Sequence, residues 1–354
     1  MITETLIIGQ GIAGSCLGLH LAERNKDFLV IDDSYFQSSS LVAAGLYNPM
    51  IFRKPSKSYN ADSLIPHLKS FYSKWELKLN AKFHYQRNII RVFSSTEEVN
   101  NWALKSSNPD YEKFLLSEML PENFDDNLLC GYGGGTVLEA GNVDIKVFLS
   151  ETKKHFGTKK IEGKIGKINK SPDGFEVESN QGKIKCKRVV LANGHLNHEL
   201  YKYLPLTYTK GDILTVYAPE ITGFDIRNKG LFIMPIGNGF HRVGSTYDWD
   251  NKSYEPSTKA RLELEEKLKN TLLCPFKIEE HQSGIRPTVG DRRPLLGEHP
   301  EQKNLFIFNG LGAKGVMLAP LYSEMLSNHI FDNRKIHPEV DIKRYKKHYG
   351  NSKN

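Results

Sequence analysis

The chain has 354 residues, and 48 Lys and Arg against 41 Asp and Glu give it a net charge of +7. Hydrophobic residues make up 39% and charged residues 25%, which excludes a disordered or fibrous chain and leaves length for two domains. Four scattered cysteines (Cys16, Cys130, Cys186, Cys274) without a CxxC pair argue against a disulfide scaffold or a structural zinc site, and no other metal site is expected.

In chain order, Thr5 to Ile8 reads as a short buried strand, and Gly9-Gln10-Gly11-Ile12-Ala13-Gly14 follows at once. Ala13, Leu17 and Leu21 then recur at the spacing of an amphipathic helix's inner face, and Asn25 suits the left-handed position that ends it. Phe28 to Ile31 is a second apolar strand, ending on Asp32. Glu4 leads straight into the first strand with no basic stretch before it, and no apolar run reaches the ~20 residues of a membrane span. The expectation is a cytoplasmic protein with no membrane contact.

A polar, small-residue loop, Ser38 to Pro49, comes next, where a simple nicotinamide enzyme would repeat the strand and helix. Phe175 and Val177, then Ile184 and Cys186, alternate with polar residues around a turn at Asn180 to Gly182, which predicts a hairpin with one wet face. Arg188 to Ala192 continues as a buried strand ending at Asn193-Gly194. A second hairpin is expected from Leu231 to Thr246 around Gly237 to Gly239. The last unit is a strand at Leu305 to Phe308, a glycine-rich loop to Gly315, and a helix carrying Leu318, Tyr322 and Met325. The basic tail from Lys343 reads as a surface helix. These patterns predict an α/β (α+β) fold in which a Rossmann-type domain is interrupted by a discontinuous, β-rich domain of antiparallel or mixed sheet. Residues 1–60, 140–205 and 283–354 are assigned to the first domain, and 61–139 and 206–282 to the second.

A lone GxGxxG is weak, but here the strand, helix and second strand around it are all present. Gly9 permits the tight turn, Gly11 lets the backbone approach a pyrophosphate, and Gly14 lets the helix pack on the sheet. The helix N-terminus offers N–H groups to the phosphates, and Asp32, 18 residues after Gly14, would accept the ribose hydroxyls. The segment reads as a dinucleotide site.

At the loop after Asp32 the chain resembles the D-amino-acid oxidase and glycine oxidase family of FAD-dependent oxidoreductases, over nearly its whole length. Besides the fingerprint, Ser38 to Gly45 resembles the flavin-contacting loop, and Val189 to Gly194 the motif that closes the FAD domain. Lys210-Gly211 is similar to the step that opens the substrate sheet, and Ser283-Gly-Ile-Arg286-Pro287 with Asp291, Pro294 and Gly297 to the family's Gly-x-Arg-Pro segment. Gly310 to Gly315 with Leu318-Ala-Pro320 resembles the loop and helix that cradle the isoalloxazine. Three stretches (Leu191 to His195, Ala44 to Pro49, and Gly310 to Glu324) are similar to the oxidase domain of bifunctional enzymes that process 5-carboxymethylaminomethyl-uridine in the tRNA wobble position.

The resemblance implies FAD, held noncovalently because no cysteine follows Cys274. Its contacts would be Gly9, Gly11, Ile12, Ala13, Gly14 and Asp32; Ser39, Ser40, Ala44, Gly45 and Leu46; Ile165; Ala192, Asn193 and Gly194; and Gly310, Gly312, Ala313, Lys314, Gly315 and Val316. Arg286 is the candidate for holding a substrate carboxylate, with a structural salt bridge as its alternative. Lys314 is the candidate cation beside the flavin, with a solvated loop lysine as its alternative. Tyr47, Tyr208, His241 and Tyr247 are pocket candidates or core residues; Arg292 and Arg293 read as surface, and His195 as a turn residue. The implied activity is oxidation of a C–N bond in an amino acid or carboxylate-bearing secondary amine, by hydride transfer to flavin with O2 as acceptor. The alternatives are a tRNA-borne amine, with tRNA as the partner, and a non-catalytic FAD-binding protein. Oligomeric state is left open.

Overall fold

The computed structural model describes residues 1–33, 38–52, 55–196 and 199–351; the last three residues of the basic tail lie outside that set. The opening unit is β1 (Ile2–Ile8), α1 (Ile12–Glu23) and β2 (Phe28–Asp32), with Asn25 at φ 51° just past the helix. β1 pairs in parallel with β2 on one side and with β3 (Ile184–Leu191) on the other. β3 is a single strand with two jobs. Its first half pairs antiparallel with Gly174–Ser179, as the expected hairpin, while its second half pairs in parallel with the strand Leu305–Asn309. Lys160–Glu162 extends the parallel set beyond β2. Leu6, Ile7 and Ile8 are buried, as a strand covered on both faces requires.

α1 departs from the amphipathic pattern: every residue from Ile12 to Leu21 is buried. α2 (Ala61–Leu79) and α3 (Ile145–Phe156) join the same hydrophobic core, and the last helix, Gly315–Asp332, packs along α1. A helix covered by sheet on one side and helices on the other is apolar all round. Gly18 marks the closeness, since a Cβ there would sit 2.5 Å from the Phe156 ring. α2, which opens the stretch assigned above to the second domain, thus packs on the last helix.

The second large sheet has eight strands. At one edge of it lie β4 (Leu206–Tyr217) and the edge strand β5 (Lys277–Val289), antiparallel over twelve register pairs from Leu206↔Val289 to Tyr217↔Lys277. The boundary expected at residue 283 therefore falls inside one continuous strand. The expected second hairpin is Phe232–Gly237 with Phe240–Gly244, and it pairs with β4. The helix Thr258–Lys269 covers one face of this sheet with Leu264 and Leu268. The other face looks toward the parallel sheet.

Candidate active site

The carboxyl ends of the parallel strands meet at one edge, where open α/β sheets bind ligands. A cavity of about 1150 Å³ starts there, at Ile8, Asp32, Ala192 and Asn309, and reaches Gly211, Ile213, Gly284 and Arg286 on β4 and β5. That exceeds the ~300–1,000 Å³ of ordinary small-molecule pockets.

The wall on the parallel-sheet side is built from backbone. Gly9 has φ +105°, and a Cβ on it would lie 2.5 Å from the Ala192 carbonyl oxygen. A Cβ on Gly14 would lie 1.9 Å from the Gly9 carbonyl oxygen, so Gly14 is what allows α1 to seat on the turn. Gly14 itself does not line the cavity; Gly9, Gly11, Ile12 and Ala13 do. Gly11 occupies the α1 N-cap and provides no side-chain cap, which leaves N–H groups directed at the cavity. The Ile12 N–H donates to Ser40 Oγ at 3.1 Å and the Gln10 N–H to Asp32 Oδ2 at 2.7 Å. Ser39, Ser40, Ala44, Gly45, Leu46, Ile165, Ala192, Asn193 and Gly194 also line the cavity, with Gly312 to Val316 opposite. Gly310 does not. It has φ +72° and packs where a Cβ would meet Val289 at 2.7 Å. A glycine turn that would reject side chains, a helix end whose N-cap glycine supplies no side-chain cap and a carboxylate 22 residues away in sequence but hydrogen-bonded to the turn fit a dinucleotide.

The wall on the antiparallel side is built from side chains. Arg286 is half-buried; its Nη1 donates to the Thr246 carbonyl oxygen at 3.2 Å, and its guanidinium lies 4.7 Å from the Tyr247 ring centroid. Among the described residues no carboxylate pairs with it, and burial lowers its pKa. Its guanidinium rests on Gly211, where a Cβ would come within 1.9 Å of Nη2. The lysine–glycine step therefore needs its glycine to seat an arginine from the neighbouring strand. Lys314 Nζ donates to Ser58 Oγ at 3.1 Å, and burial together with Arg292 and Arg293 lowers its pKa.

The expectations for His241, Tyr208 and Arg293 are corrected. His241 does not line the cavity, because on strand Phe240–Gly244 it faces away while its neighbour Arg242 faces the Ser39–Val42 turn. Tyr208 does not line it either. Tyr47 lines it, but its ring is buried and its hydroxyl bonds His84 Nε2 at 2.9 Å. Arg293, read as surface, is half-buried in the lining and stacks 3.5 Å over the Tyr59 ring, whereas Arg292 is exposed as expected and also lines the cavity. His195 also lines the cavity and bonds the Tyr254 hydroxyl. Sequence reasoning missed Arg242, which donates to the Val42 carbonyl oxygen at 2.5 Å and to Gln282 Oε1 at 3.3 Å. Strand alternation puts His241 and Arg242 on opposite faces, but a hairpin pattern does not say which face the cavity lies on. Among the described residues no His, Cys, Asp and Glu side chains cluster to hold a metal ion.

The DAO family model, described as FAD dependent oxidoreductase, matches residues 4–329. The chain is 28% identical over 173 residues to glycine oxidase of Bacillus licheniformis, covering 47% of each chain. It is 21% identical over 366 residues to the tRNA 5-methylaminomethyl-2-thiouridine biosynthesis bifunctional protein of Marinobacter nauticus, covering 92% of this chain and 55% of that one. It thus matches about half the length of these curated relatives. The crystal structure of glycine oxidase from Geobacillus kaustophilus superposes with a TM-score of 0.79 at 18% identity, covering 97% of this chain and 98% of that one. At that identity the likeness concerns the fold.

Proposed function

The chain belongs to the FAD-dependent oxidoreductase family, and from that premise we propose that it oxidises the C–N bond of an amino acid or carboxylate-bearing secondary amine, with dioxygen as the acceptor. FAD, bound noncovalently, supplies the hydride acceptor. The Gly9 to Gly14 turn and the α1 N-terminus hold its pyrophosphate, and Asp32 accepts its ribose hydroxyls. The loop from Gly312 to Gly315 and the Lys314 ammonium provide positive potential at the far end.

The observation that carries this reading is Arg286. A guanidinium fork matches a carboxylate, and this one faces the cavity, is stacked on Tyr247 and is paired with no carboxylate among the described residues. A chain that only stored FAD would have no need of a bare Gly211 beneath it. The four cysteines are free and, among the described residues, no helix is long and apolar enough to cross a membrane. Free thiols suit a reducing compartment, and we place the activity in the cytoplasm.

A second reading is a tRNA-borne secondary amine ending in a carboxylate. It is favoured by the cations Arg292, Arg293 and Lys314 on the lining and by an exposed Trp249 two residues from Tyr247.

The test is the visible spectrum of the purified protein, followed anaerobically with glycine, sarcosine, D-amino acids, and modified or unmodified tRNA. Bleaching by a carboxylate-bearing amine, but not by its decarboxylated analogue, is the expected result. A protein that purifies colourless and takes up no FAD sinks the reading. Bleaching by modified tRNA alone, at a rate that falls steeply with salt, selects the second one.

A further inference from the structure

β4 and β5 present opposite faces in alternation. Thr209↔Arg286 and Gly211↔Gly284 are paired across the strands on the cavity face, so Lys210↔Ile285 and Asp212↔Ser283 point the other way. Lys210 and Asp212 are each only 1% exposed, and neither lines the cavity. A buried ammonium is retained at a cost unless its donors are used.

Here they are used on one segment, residues 245–257. Lys210 Nζ donates to Ser253 Oγ at 3.3 Å and to the Glu255 carbonyl oxygen. The Lys210 backbone makes a two-way bridge with Asp248, at 2.9 and 3.0 Å. Asp212 Oδ2 accepts from the Ser257 N–H at 3.0 Å and bonds His281 Nε2 at 2.9 Å. Ser283 Oγ donates to the Tyr254 carbonyl oxygen. The segment held in this way carries Tyr247 onto Arg286 and brings Tyr254 to the cavity wall.

We propose that Lys210 is a positioning residue for substrate binding: with Asp212 and Ser283 it fixes the 245–257 segment from behind the sheet, so that Tyr247 holds the Arg286 guanidinium ready for a carboxylate. The proposal rests on the reading of Arg286 given above.

Lys210→Met and the milder Ser283→Ala test it in the FAD-loaded protein. Both should keep the flavin spectrum, because the glycine turn and Asp32 lie on the other wall. Hydrogen exchange of amides 246–257 should rise in both variants while that of 6–14 does not. KM for the best amine from the panel, and Kd for acetate read from the flavin absorbance, should rise about tenfold in Lys210→Met with kcat within about threefold. In a Tyr247→Ala background the same Lys210→Met change should add less than about twofold, because coupled residues are non-additive.

Faster exchange with unchanged KM and acetate affinity overturns the proposal, as do unchanged exchange or effects that simply add. If Lys210→Met does not fold, Ser283→Ala carries the same tests with smaller shifts. A wild type that binds no acetate and is bleached by no amine overturns the reading of Arg286 instead, and the exchange comparison then still decides whether Lys210 holds the segment.

Discussion

The cavity wall under the parallel sheet is made of backbone, whereas the wall under the antiparallel sheet is made of side chains that other side chains hold in place. On the first, Gly9 and Gly14 leave no room for substituents, and the groups that face a ligand are N–H donors whose positions follow from the helix and turn. On the second, Arg286 depends on a bare Gly211, on Tyr247, and on a segment anchored from behind the sheet by Lys210, Asp212 and Ser283. A backbone wall tolerates no substitution but fixes only what every dinucleotide shares. A side-chain wall can change its substrate by changing a few residues, at the cost of depending on distant supports.

The largest break should come from Gly14→Ala. Its Cβ would fall 1.9 Å from the Gly9 carbonyl oxygen, and neither the turn nor α1 can retreat without leaving the sheet. A loss of about 3 kcal/mol of stability is expected, with protein recovered free of FAD or unfolded. A yellow Gly14→Ala protein with an unshifted melting temperature would show that the turn is looser than the backbone wall implies. Next is Arg286→Ala, which leaves that wall alone. FAD content and melting should hold, while kcat/KM for the carboxylate-bearing amine falls about 10²-fold. Equal loss with the decarboxylated amine would mean that Arg286 does not read a carboxylate.

The contrast also explains what was legible in the sequence. The turn at Gly9, the packing of Gly14, the acid at Asp32 and the strands that flank the turn follow from local spacing, because backbone demands on glycine are local. The inside of α1 was legible and its outside was not, since the last helix that covers it comes some three hundred residues later in the chain. Arg286 was found through its motif, yet nothing local told that Gly211 lies beneath it or that Arg242 rather than His241 faces the cavity side. Those placements come from the register between β4 and β5 and from which sheet face the helix Thr258–Lys269 covers. Arg292 lines the cavity from a turn at φ 56°, a backbone state that its residue type does not announce.

Acid should separate the two walls by a smaller margin for each titrating group. Burial holds the imidazoles of His20, against the Pro320 carbonyl oxygen, and His84, against the Tyr47 hydroxyl, down at about 4 rather than 6.5. Both lie in or beside the core that backs the cofactor wall. Between those values the unfolded chain binds a proton that the folded one refuses, so stability falls as pH drops from 6.5 toward 4. At pH 5 the loss is about 2 kcal/mol for each histidine. Melting curves from pH 7 to 5 should show it, with FAD released before residues 245–257 open. His20→Gln, which can still donate to the Pro320 carbonyl oxygen, should flatten part of the slope; an unchanged slope would mean that His20 is protonated in the fold.

The smallest expected effect is the sharpest test of the comparison, because Gly211→Ala adds one methyl group on the side-chain wall. The new Cβ would lie 1.9 Å from Arg286 Nη2 and 2.1 Å from Cζ and Nη1. Unlike the backbone oxygen that opposes Gly14, these atoms end a flexible side chain and can move. The guanidinium should swing off the strand, lose its contact with the Thr246 carbonyl oxygen and its place over Tyr247, and leave stability within about 1 kcal/mol of the starting protein. FAD content should not change. Misplacing the carboxylate partner without deleting it should lower kcat/KM about tenfold, between the wild type and Arg286→Ala. Combined with Arg286→Ala, Gly211→Ala should cost nothing further, since the group it displaces is gone. Loss of FAD from Gly211→Ala would mean that the two walls are not separable, and an undiminished kcat/KM would mean that the seat of Arg286 is not what makes it work.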